Sequence, residues 1–183
     1  DRTKTAMGKR LIRSWVQKPL VNITQINLRQ NAVEELCSDT VLRGETMEYL
    51  SGIKDVERLM SRVVYGTASA RDLIAVAATA HRFPILKNLL YSVSCKMLKE
   101  IYSDIDTLED IAELIDSSIV DEPPFSVREG GLIKQGYSEE VDLLLLAAHD
   151  LKRQVVIAHH AVGAEHKHPV VFHNVELLAH YYH

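Results

Sequence analysis

Residues 119–143, IVDEPPFSVREGGLIKQGYSEEVDL, constrain this chain more than any other stretch. Pro123 and Pro124 have no backbone N–H and a fixed φ, so no helix can pass through them, and the chain before them is pushed toward an extended path. Gly130 and Gly131 follow where positive φ is least costly, which predicts a turn joining short strands at residues 127–128 and 132–134. Ser138 is then a helix cap, with Glu139 and Glu140 in the first turn, where the helix dipole favours negative charge. One helix must therefore end near residue 119 and another begin near 139. Asp121 and Glu122 are paired carboxylates that acid–base chemistry could use. Directly ahead of two prolines they read as cap and turn residues, so Asp121, Gly130 and Gly131 are assigned structural roles.

Upstream the spacing is helical. Met7, Leu11 and Trp15 fall at i, i+4, i+8, and Pro19 ends the run. Ile26, Val33, Leu36 and Cys37 form a second stripe, and Val56, Leu59, Met60 and Val63 a third. Ser69 is an N-cap for a helix carrying Leu73, Val76, Ala77 and Ala80, whose small side chains permit close helix packing. Pro84 interrupts this run before Leu89, Leu90 and Val93, and Thr107 with Asp110 approximates a capping box. The expected fold is mainly α, a helical core domain with a small extended β-hairpin insertion. Its core is expected to bury Leu11, Trp15, Val33, Leu36, Leu59, Val63, Leu73 and Val76 together.

A chain of 183 residues suffices for one domain with a substantial core. At 46% hydrophobic and 25% charged residues it is globular rather than disordered. No run approaches the roughly 18 apolar residues of a membrane span, and the start lacks a signal-peptide pattern, so a soluble, cytoplasmic protein is expected. Cys37 and Cys95 lack metal-ligand spacing and are expected to be free, buried thiols of a reducing compartment. A net charge of −4 gives no overall basic surplus for gripping nucleic acid.

Seven of the nine histidines lie beyond residue 150. His159, His160, His166 and His168 could surround zinc or nickel, but adjacent and alternate spacings do not converge on one helical face, so no metal site is expected. His81 and His149 read as helix-surface or satisfied core residues. Arg29 sits between Ile26 and Val33 on an apolar stripe, where a guanidinium needs a partner; a structural ion pair between core helices and a relay role both fit. Asp55 and Arg58, three apart, suit a modest surface pair. No G-x-x-x-x-G-K-[ST] phosphate loop occurs, so no catalytic residue and no cofactor is assigned.

Three segments together resemble the core (lever) domain of MutS, the DNA mismatch-repair ATPase. They are DRTKTAMGKRLIRSWVQKPL with ITQINLRQNAVEEL, then IKDVERLMSRVVYGTASARDL, then the I-x-D-x-PP and EGG-x-I-x-x-GY-x-x-E-x-D pattern of residues 119–143. The resemblance covers residues 1–150; residues 151–183 form a non-matching, histidine-rich tail, foreign to the pattern or poorly defined. Members are several times longer and this chain opens on Asp1, so it is expected to be a piece of a longer protein. The resemblance implies a non-catalytic core that couples the parent's ATPase, using ATP and Mg, to its clamp on mismatched double-stranded DNA, in a parent acting as a homodimer. Arg29, Asp55, Arg58, Asp121, Gly130 and Gly131 are the structural or coupling candidates. Two other readings remain: the core of a relative working outside mismatch correction, and a metal-binding enzyme using the histidines.

Overall fold

The computed structural model describes residues 2–165, with side chains described to residue 157. Helices dominate it: α1 (Ala6–Gln17), α2 (Ile23–Ser38), α3 (Thr40–Ser51), α4 (Val56–Val64), α5 (Ala70–Ala80), α6 (Phe83–Leu89), α7 (Lys96–Asp104), α8 (Glu109–Ser118) and α9 (Glu139–Glu165). Contacts divide the chain after Asp116. In the first unit α2 packs on α3 and α7, α3 on α6, and α5 on α4 and α6.

Local chemistry explains most boundaries. Thr5, Asn22, Asp39, Asp55 and Ser69 each accept a backbone N–H at the start of α1 to α5, satisfying donors that have no partner inside the helix. Ser69 and Asp72 form a full capping box. Pro84 occupies the first turn of α6, where its missing N–H costs nothing, so the interruption is a new helix rather than a kink. Before α8 the expected Thr107–Asp110 box gives way to Asp106, whose Oδ1 accepts the N–H of Leu108 at 3.0 Å. Leu108 has φ 51°, an uncommon left-handed backbone for a branched side chain.

One buried cluster joins Ala32 of α2, Leu90 and Val93 after α6, and Leu98 of α7, with Leu36, Leu42, Met97 and Tyr102 against it. Leu59, Val76, Ala77, Ala80 and Leu86 are also buried. The expected single core is corrected here. Leu59 and Val76 are buried, but Leu11, Val33 and Val63 are exposed, and Trp15, Leu36 and Leu73 are half-buried. Periodicity marks the inner face of each helix; how much of that face another helix covers depends on packing. Cys37 is likewise exposed rather than buried, while Cys95 is half-buried; both are free.

The second unit corrects the β-hairpin. Residues 127–129 form a short 3-10 turn, because Ser126 and Glu129 make a reciprocal capping box that holds the segment curled. Residues 132–134 pair instead with the end of α8: Val120 donates to the Leu132 carbonyl at 3.0 Å, and Lys134 to Ser118 at 2.8 Å, around an isolated antiparallel bridge between Ile119 and Ile133. No strand longer than this bridge occurs among the described residues. Gly130 and Gly131 do take positive φ, 75° and 67°. Ser138 starts α9, its hydroxyl accepting Val141 N–H at 3.4 Å.

Candidate coupling site

A charged fork joins α1 to α4. Asp55 caps α4, and Glu57 lies in the same helix's first turn, so both carboxylates stand at a positive helix end. Arg10, 45 residues earlier, spreads its guanidinium across both: Nη1 and Nη2 donate to Asp55 at 2.8 and 2.6 Å, and Nε and Nη2 to Glu57 at 2.8 and 2.5 Å. Such bidentate geometry fixes orientation as well as distance. The two carboxylates, Asp55 first, push the Arg10 pKa up, and Arg10 holds the Asp55 carboxyl below its usual range. Arg58 adds a 3.3 Å contact to Asp55 from a largely exposed side chain.

Other helix pairs have polar ties of their own. Arg29 of α2 places its guanidinium 3.5 Å from the Trp15 ring centroid of α1, so the partner on this apolar stripe is an aromatic face rather than the expected carboxylate. Arg62 of α4 reaches Asp72 of α5 at 2.9 Å. Ser69, through its N–H and hydroxyl, and then Arg62 hold the Asp72 carboxyl low. Glu35 of α2 accepts the backbone N–H groups of Ser94 and Cys95, the latter at 2.7 Å, and so caps α7 from another helix. Those two donors, Ser94 first, hold the Glu35 carboxyl below its usual value, whereas burial pushes the Cys95 thiol up. Arg82 donates to the Tyr49 carbonyl at the end of α3 and lies so close to Gly52 that a Cβ there would sit 2.0 Å from Cζ. His81 Nε2 and Asp116 Oδ2 meet at 2.7 Å.

Of the sequence candidates, then, Asp55 and Arg58 meet at the α1–α4 fork and Arg29 stands at the α1–α2 contact. Asp121 lies in the second unit, paired with Lys134 at 2.7 Å from an 89% exposed side chain, and Gly130 and Gly131 form the turn. His166 and His168 lie outside the described residues, and only the helical backbone of His159 and His160 is described. Arg10, Glu35, Glu57 and Asp72 escaped the sequence reading as cross-helix partners. Only the separation of two residues between Asp55 and Glu57 hinted at a shared cation.

Among the described residues no group of three His, Cys, Asp or Glu side chains could hold a metal, and no helix is long and apolar enough to cross a membrane. The class defined by these features is a helical scaffold domain whose polar side chains tie helices to one another. The family model of MutS domain III matches residues 1–181. The chain is 46% identical over 155 residues to the DNA mismatch repair protein MutS of Alkaliphilus oremlandii, covering 85% of this chain and 18% of that protein. It is 48% identical over 144 residues to MutS of Halothermothrix orenii (79% and 16%) and 47% over 146 residues to MutS of Methanosarcina acetivorans (78% and 16%). The chain belongs to the MutS domain III family, and it spans less than a fifth of the length of these relatives.

Proposed function

We propose that this chain is the non-catalytic core of a MutS-like mismatch-repair protein, carrying conformational change between an ATPase and a clamp on mismatched duplex. The parent acts as a homodimer in the cytoplasm and uses ATP and Mg. The observation that carries the reading is the Arg10 fork in a member of this family. A bidentate contact joining two helices far apart in sequence is an element that can hold one arrangement and release to another. Asp55 and Arg58 act at that fork, Arg29 acts at the α1–α2 contact, and Asp121, Gly130 and Gly131 set the path of the chain into α9.

The test is a chimera in which this chain replaces its counterpart in the Alkaliphilus oremlandii relative. ATP turnover and mismatch binding should survive the exchange. Arg10→Ala should then leave each activity measurable alone but lower the effect of ATP on mismatch affinity by about fivefold or more, the lower end of common coupling energies. Unchanged coupling in that variant overturns the role of the fork. ATP turnover by the isolated 183-residue chain, or a mismatch preference of its own beyond about tenfold, overturns the non-catalytic reading.

A further inference from the structure

Charge along this chain is strongly segregated. Residues 2–33 hold seven Lys and Arg and no Asp or Glu, whereas the other 151 residues hold 14 Lys and Arg against all 25 Asp and Glu. The slightly acidic total therefore conceals a segment, α1 with most of α2, that carries no carboxylate at all. Two of its cations are already committed, Arg10 to Asp55 and Glu57 and Arg29 to Trp15. Arg2, Lys4, Lys9, Arg13 and Lys18 are exposed and make no ion pair among the described residues. Lys9 and Arg13 are one helical turn apart on α1, on the side away from half-buried Met7 and Trp15.

From this we infer that the outer face of α1, with the basic residues that flank the helix, is a contact surface for the sugar-phosphate backbone of a nucleic-acid duplex. Lysine and arginine are groups that grip phosphate without reading bases. A solvated helix face in an acidic chain would carry mixed signs, as α7 does with Lys96 and Glu100 at 3.7 Å. Helix α1 has 12 residues, about 18 Å at 1.5 Å per residue, which spans roughly five phosphates of one strand at 3.4 Å each. Of the five uncommitted cations, Lys9 and Arg13 stand on α1, Arg2 and Lys4 precede it and Lys18 follows it. The inference rests on the reading of the parent as a duplex-handling protein and adds to it a second, sequence-independent grip on the core itself.

The experiment is fluorescence anisotropy of a labelled, fully matched 30-base-pair duplex titrated with the 183-residue chain between 50 and 200 mM salt. Five phosphate contacts give a slope of log K against log salt of about −4.5, or about 500-fold weaker binding across that range. Lys9→Gln with Arg13→Gln should flatten the slope to about −2.7, leaving about a 40-fold change, while Lys96→Gln with Lys99→Gln leaves it unchanged. If the double variant loses its circular dichroism, the single variants serve, each lowering the slope by about 0.9. No binding at 50 mM salt with about 100 μM chain, or a slope that ignores Lys9 and Arg13, overturns the inference. Equal or tighter binding of poly-glutamate, or self-association abolished by the same variants, also overturns it and assigns the face to an acidic protein partner. The chimera's coupling can fail without affecting this binding, and this binding can fail without affecting coupling, so the two outcomes are separable.

Discussion

Replacing Glu35 by glutamine isolates the cap that one helix supplies to another. The Glu35 carboxylate accepts the N–H groups of Ser94 and Cys95 at the start of α7, and no side chain within α7 caps that end. Glutamine keeps one acceptor oxygen but turns an NH2 toward the other donor, so one N–H loses its partner and the charge that favours the helix N-terminus disappears. Loss of a cap costs about 0.5 to 2 kcal/mol, and the partial exposure of Glu35 argues for about 1 kcal/mol at pH 7. Because the folded carboxyl is held below its unfolded value of about 4.3, its contribution is complete above that pH and is lost as pH falls through the lower folded value. Urea denaturation followed by circular dichroism at pH 7, 5 and 3 should therefore show the two proteins about 1 kcal/mol apart at pH 7 and 5, and converging at pH 3. Hydrogen exchange should speed up first at the Ser94 and Cys95 amides. A difference below about 0.3 kcal/mol at pH 7, or one of equal size at all three pH values, would refute the cap.

Two further substitutions test packing and backbone. Leu59→Ala, at a side chain 5% exposed, should cost about 2 to 5 kcal/mol in urea denaturation, while Leu11→Ala, 52% exposed, should cost about 1 kcal/mol or less despite its place on the apolar stripe of α1. Gly130→Ala should cost about 1 to 3 kcal/mol although its Cβ meets nothing within 4 Å, because φ 75° with ψ −171° is a region only glycine enters freely. A neutral result in the same assay would assign that backbone to an alternative turn.

Legibility followed the range of the interaction. Caps act over two or three residues, so Ser69 and Ser138 could be recognised from sequence and stand where expected. Proline stops and glycine turns are also local, and Pro19, Pro84, Gly130 and Gly131 punctuate the chain accordingly. The helical stripe on α1 was equally readable, but burial was not. Whether Leu11 meets solvent depends on how much of that face α2 and α4 cover, which no single-helix pattern encodes.

The failed hairpin and the missed fork have one physical origin. A strand needs a partner, and the sequence offers two for residues 132–134: the nearer residues 127–128 or the more distant end of α8. Proximity favours the nearer because closing a short loop costs less entropy, though the penalty rises only slowly with length. The Ser126–Glu129 box removes that option by curling residues 127–129, leaving the Leu132 carbonyl and the Lys134 N–H to pair with Val120 and Ser118. Arg10 follows the same rule. Its neighbours in α1 offer no carboxylate, so a five-donor guanidinium takes its partners from α4, where a capping aspartate and a first-turn glutamate already stand together. In both cases a local capping motif sets the long-range pairing, by withdrawing one partner at residues 127–129 and by placing two carboxylates side by side at α4.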